Sequence, residues 1–140
     1  MKSALFLFSS SVLFLTVISV MAPVRAVAEG PKFEYTLENN RLDLGTFFID
    51  ELEPFDFQVE FTNEGSEPLL VSNVRGCCGT QIPDWTKEPI MPGDTGTIQV
   101  RFRLAPRVQT MNRTVTAVSN DAVGVKILRM TLRVIERKED

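Results

Sequence analysis

Apolar and polar residues alternate along most of the chain. Phe33, Tyr35 and Leu37 are separated by polar neighbours, and Phe55, Phe57, Val59 and Phe61 interleave with Asp56, Gln58, Glu60 and Thr62. A period of two sends successive side chains to opposite faces, so these runs predict strands buried on one face and solvated on the other. The pattern recurs at Ile98, Val100, Phe102 and Leu104, with Gln99, Arg101 and Arg103 between them. It returns at Leu128, Met130, Leu132 and Val134, spaced by Arg129, Thr131 and Arg133. Weaker strands are expected at Leu42 to Phe47, Leu69 to Val74 and Arg113 to Ser119, bringing the total to about seven.

Turn-forming clusters separate these runs. Asn63-Glu64-Gly65-Ser66, Pro92-Gly93-Asp94-Thr95-Gly96 and Asn120-Asp121-Ala122-Val123-Gly124 supply residues that tolerate positive φ, or proline with φ preset. No stretch has the period of a long helix. Strands without intervening helices imply an all-β fold, and about seven over roughly 100 residues is the count of an immunoglobulin-like antiparallel β-sandwich. The Cys…Trp…Cys pattern of a true immunoglobulin domain is missing. The stretch from Gly76 to Asp94 breaks the regularity: it holds both cysteines, the single tryptophan and three prolines. It is expected to be a long stiffened loop, with a short strand around Thr80 to Ile82.

The N-terminus follows another logic. Met1-Lys2 carries one positive charge, no ionisable side chain occurs from Ser3 to Val24, and Ala26-Val27-Ala28 follows. This basic, apolar, small-residue order is that of a secretory signal segment, here residues 1–28, with a single domain at 29–140. The uncharged run approaches the roughly 20 residues that span a bilayer, so an uncleaved anchor is the alternative. In either case the domain is expected to be exported, to a periplasmic or extracellular location. Removal of residues 1–28 takes away Lys2 and Arg25, leaving 13 basic against 18 acidic side chains, net −5. An acidic chain of this kind argues against nucleic-acid binding, and against membrane association unless the N-terminal segment is retained.

The 140 residues contain no histidine. That excludes Ser-His-Asp and Cys-His catalysis and imidazole metal ligation, so a non-enzymatic domain without a cofactor is expected. Two adjacent cysteines cannot form the framework of bridges that staples many small secreted folds.

Short motifs in fixed order carry a resemblance. Leu42-Asp43-Leu44-Gly45-Thr46-Phe47 is followed by Val59-Glu60-Phe61-Thr62-Asn63-Glu64-Gly65-Ser66-Glu67-Pro68-Leu69-Leu70-Val71 and Pro83-Asp84-Trp85. Pro89-Ile90-Met91-Pro92-Gly93-Asp94-Thr95-Gly96-Thr97-Ile98-Gln99-Val100-Arg101-Phe102 and Ser119-Asn120-Asp121 complete the series. From Leu42 to Val134 the chain resembles the bacterial secreted family known as domain of unknown function 1573. That family is similar in architecture to the immunoglobulin-like domains of periplasmic pilus chaperones and cilium-associated proteins. The resemblance implies a sandwich but lends no activity. One departure is plain: where the family has C-G-C-T, this chain reads Gly76-Cys77-Cys78-Gly79-Thr80.

Three residues are the candidates for a binding loop. Cys77 and Cys78 either pack as small apolar side chains, form a strained or intermolecular disulfide, or bind a soft metal or exchange disulfides. Adjacent Cα atoms lie about 3.8 Å apart, below the usual disulfide range, so a bridge between them would be distorted. Met91, Met111 and Met130 could add thioether ligands, although methionines commonly fill core gaps. Trp85 either caps the sandwich core or offers a platform for a glycan or peptide. Arg101, Arg103, Arg129 and Arg133 would form an outward basic stripe, or pair across strands with Asp56 and Glu60. The leading function is protein–protein contact with an envelope or extracellular partner through surface or edge strands. The alternatives are a thiol-based redox or copper-handling protein and a carbohydrate-binding module.

Overall fold

The computed structural model describes residues 29–139, so the expected signal segment at 1–28 lies outside the described residues. Eight strands follow in order: β1 (Phe33–Tyr35), β2 (Arg41–Phe48), β3 (Phe55–Asn63), β4 (Val71–Gly76), β5 (Thr80–Trp85), β6 (Thr95–Phe102), β7 (Gln109–Ser119) and β8 (Val125–Ile135). Single turns of 3-10 helix at Glu38–Asn40 and Ile49–Glu51 flank β2. The first sheet has the order β1-β3-β6-β5 and the second β2-β8-β7-β4. The immunoglobulin-like sandwich expected from the strand pattern is the fold observed.

Three details differ from the sequence expectation. The short strand anticipated near Thr80 runs on to Trp85 as an eighth strand, because its residues continue the ladder along β6, pairing Thr80 with Phe102 and Trp85 with Ile98. The sheets are not wholly antiparallel. The chain leaves the first sheet after β1, and β2 joins the edge of the second sheet parallel to β8, with a bulge between Asp43 and Gly45. The four arginines do not make one stripe. Arg101 lies on β6 of the first sheet and Arg103 just beyond its end, whereas Arg129 and Arg133 lie on β8 of the second sheet. Arg101 is the one that pairs as expected: opposite Asp56 in the register, it forms a fork of two hydrogen bonds at 2.7 Å.

The core lies between the sheets. Phe33, Phe61, Ile98, Val100 and Phe102 come from the first sheet and Val115, Leu128, Met130 and Leu132 from the second, all essentially without solvent exposure. Phe33 stacks on Phe61 with ring centroids 4.4 Å apart. Tyr35 meets Phe33 edge-on at 4.9 Å and donates its hydroxyl to the Lys126 carbonyl, while burial pushes its phenol well above the ordinary value.

Buried polar residues clamp the turns. Asn63 is fully buried: its Oδ1 accepts from the N–H groups of Gly65 and Lys32, and its Nδ2 donates to the carbonyls of Glu67 and Ile90. Gly65 must be glycine, since a Cβ there would lie 2.6 Å from the Lys32 nitrogen. At the other end of the chain, Asp121 accepts from the N–H groups of Phe33 and Val123 at 2.6 and 2.7 Å, fastening β1 to the β7–β8 turn. Asn120 accepts from the Leu70 N–H and donates to the Pro68 carbonyl, tying the approach to β4 to the same turn.

Candidate functional site

The two cysteines occupy the crossover from the second sheet to the first. β4 ends at Gly76, where a Cβ would come within 2.6 Å of Thr80, so glycine allows the chain to turn tightly. Cys77 keeps the ladder going for one more residue, its N–H donating to the Thr114 carbonyl at 3.0 Å. The Thr80 N–H then donates to the Cys77 carbonyl, closing a four-residue turn around Cys78 and Gly79. Both central residues have positive φ, 51° and 85°, the mark of a type I′ turn. A left-handed cysteine costs about 1–2 kcal/mol relative to glycine. Cys78→Gly is therefore expected to stabilise the domain by about 1 kcal/mol, and Cys78→Val to destabilise it, in chemical denaturation.

Both thiols are free; Cys77 is half-buried and Cys78 exposed. Cys77 Sγ accepts from the Thr114 N–H at 3.3 Å. Hydrogen bonding at Thr114 holds the Cys77 thiol below its ordinary value, with Cys78 and the charge of Arg113 adding to the effect and partial burial opposing it. Thr80 Oγ1, buried beside Gly76, has no hydrogen-bond partner among the described residues. The methionines do not assemble a thioether set around the pair: Met130 is buried in the core, Met111 accepts from Arg113 Nη2 at 3.1 Å, and Met91 is exposed in the β5–β6 connection.

Trp85 is not brought to the cysteines. It ends β5, seven residues beyond Cys78, a distance of about 20 Å along an extended strand. Its ring packs against the core, its indole N–H donates to the Val71 carbonyl of β4, and Lys87 Nζ sits 4.9 Å from the ring centroid. A shallow cavity of about 390 Å³ opens beside it, lined by Asp84, Lys87, Glu88 and Gln99 among others. The indole thus ties the two sheets together while one region of its surface borders solvent.

A family model described as a protein of unknown function (DUF1573) matches residues 35–134. The chain belongs to this family. No curated protein matches the DUF1573 chain in sequence. Several solved structures share its fold. A protein of unknown function from Porphyromonas gingivalis W83 is 16% identical with TM-score 0.60, the match covering 79% of this chain and 50% of that one. The secreted serine protease VesC of Vibrio cholerae is 11% identical with TM-score 0.59, over 79% of this chain and 24% of that one. The ASH or PapD-like domain 7 of human CEP192 is 8% identical with TM-score 0.54, covering 89% and 99%. The DUF1573 chain thus spans a quarter to a half of the first two proteins, and at these identities the similarity is one of fold.

Sequence reasoning missed the charge asymmetry of the two sheets. The second sheet carries Arg41, Arg75, Arg113, Lys126, Arg129 and Arg133 against Asp43 alone. The first carries Glu34, Asp56, Glu60 and Asp84 against Arg101. The signal lay in the strand sequences and needed only the sheet assignment to show it.

Proposed function

We propose that this DUF1573 chain is an exported, non-enzymatic domain that binds another protein of the bacterial envelope through the open edge of its second sheet. The N-terminal basic, apolar and small-residue order supports export. The observation that carries the contact surface is β2. A sandwich has four edge strands, and those with exposed backbone groups are natural templates for another chain. Here β1 has three residues, β5 is interrupted by Pro83 and a register shift, and β4 is six residues long with its own shift. β2 is the longest at eight residues and, among the described residues, is hydrogen-bonded only to β8. Its bulge at Gly45, closed by Asp43 Oδ1 accepting from the Gly45 N–H at 2.8 Å, leaves Thr46 to Phe48 as a continuous stretch. Affinity capture from envelope extracts should return the same protein repeatedly with the wild-type chain and much less of it with Thr46→Lys, since lysine on an edge discourages strand addition. No recurrent partner, together with turnover of a substrate by the purified domain, would overturn the proposal.

A second reading is favoured by the surroundings of Cys77, which suit a reactive thiol for disulfide exchange or Cu(I) binding. The lowered pKa means that the thiolate is populated at a pH below that of a free cysteine. Alkylation of Cys77 in a Cys78→Ser chain should therefore reach its plateau at lower pH than a free-cysteine peptide, and Arg113→Gln should move the profile upward. A profile matching the peptide would remove this reading.

A further inference from the structure

Across the outer face of the second sheet, Arg41 on β2 stands opposite Arg129 on β8, which in turn stands opposite Thr114 on β7. The adjoining row is Asp43, Thr131 and Asn112. Between these rows lies a cavity of about 250 Å³ lined by Arg41, Asn112, Arg113, Thr114, Arg129 and Thr131. Among the described residues, no carboxylate lies within 4.0 Å of Arg41, Arg113 or Arg129, whereas Arg101 holds Asp56 and Arg137 holds both Asp50 and Glu51. Like charges placed opposite each other on neighbouring strands are destabilising unless an anion neutralises them. One further donor is unspent on this face, since Arg113 alternates inward with Met111 and Val115 and gives its Nη2 to Met111 Sδ. Asn112 Oδ1 is taken by the Thr131 hydroxyl at 3.1 Å, which leaves the Asn112 amide nitrogen as the free end of that side chain. Asp43, the sole carboxylate on these four strands, is engaged with its own bulge.

The same face is not purely polar. Toward the β7–β8 turn the next positions on β8 are Ile127 and Val125, both exposed, and Val123 in the turn is 70% exposed. We propose that this face docks an acidic polypeptide segment, one of whose carboxylate side chains enters the cavity between Arg41 and Arg129 while aliphatic neighbours cover Val125 and Ile127. A guanidinium pair with side-chain donors around it suits a carboxylate held by charge-assisted hydrogen bonds, and the adjoining aliphatic surface suits side chains on the same segment. The proposal rests on the chain being a protein-binding domain, and extends it from the β2 edge to the face that the edge borders.

The test is a fluorescence-anisotropy titration of the purified chain with a labelled peptide of alternating Glu and Val, and with its counterpart carrying Gln for Glu. The Glu peptide should bind at low ionic strength, more weakly as salt rises, and the Gln peptide about two- to fivefold less tightly, the range expected for charge pairing with the exposed Arg41 and Arg129. Arg41→Gln with Arg129→Gln should abolish the difference between the peptides, and Arg103→Gln should not. The double variant should also melt no lower than wild type, because it relieves a like-charge pair, so lost binding will not reflect lost folding. Equal binding of both peptides, or undiminished binding by the double variant, would overturn the proposal. So would retention of the chain by phosphatidylglycerol vesicles without peptide binding, or self-association that the double substitution abolishes. The titration uses no envelope partner, so its failure leaves the β2-edge proposal standing, and failed capture leaves the cavity result standing.

Discussion

Asn63→Ala should destabilise the domain by about 3–5 kcal/mol in chemical denaturation. A typical buried hydrogen bond contributes about 1 kcal/mol, but a buried group left without a partner costs about 1–3 kcal/mol. The Asn63 side chain satisfies two backbone N–H groups, those of Lys32 and Gly65, and two carbonyls, those of Glu67 and Ile90. Alanine removes all four bonds at a site with no exposure, where water cannot replace them without opening the turn. Asn63→Asp should be nearly as harmful, because a carboxylate can still accept from Lys32 and Gly65 but cannot donate to the two carbonyls. Since small domains are stable by only about 5–15 kcal/mol, either change should show as partial unfolding at 37 °C in proteolysis. A loss below about 1 kcal/mol for Asn63→Ala would contradict the role assigned to this side chain.

Phe61→Ala should cost a similar amount, about 3–5 kcal/mol, by cavity formation. Phe61 is fully buried, stacked on Phe33, and reaches under Gly96: a Cβ on Gly96 would meet the Phe61 ring at 2.5 Å and Ile90 Cδ1 at 2.6 Å. The pair is thus a complementary large and small fit. Gly96→Ala alone should destabilise by overpacking, by about 1–3 kcal/mol. Combined with Phe61→Ala it should cost less than the sum, because the added methyl enters space that the ring has vacated. Strict additivity in the double-mutant cycle would show that the two positions are not in contact.

These two sites account for much of what made the family resemblance visible. Asn63 and Gly65 build one turn, Gly96 admits the Phe61 ring, and Asn120 and Asp121 fasten the β7–β8 turn to Phe33 and Leu70. The motif residues with clear partners are therefore clamps, and their spacing reports the fold. The sandwich itself was legible because alternation in β3, β6 and β8 survives with the inward residues buried. The eighth strand was obscured because Pro83 and the register shift between Gln81 and Asp84 erase its period. The parallel pairing of β2 could not be read, since alternation specifies which face is buried and not which neighbour is hydrogen-bonded. The same gap hid the Arg41–Arg129 juxtaposition, whose members lie 88 positions apart and meet only through the β2–β8 register. Cys77 and Cys78 stood out in the sequence by composition, but their microenvironments arise from the crossover turn and from Thr114 on β7.

The central claim, that the second sheet's free edge is where this domain meets another protein, is tested most directly by photo-cross-linking in cells producing the full chain. A photoreactive phenylalanine analogue would be placed at Thr46 on β2, and separately at Gln58 on the outward face of the first sheet, where it stands opposite Gln99. A discrete adduct of one recurring mass from position 46, and none from position 58, is the result expected. Adducts from position 58 with none from position 46 would contradict the claim.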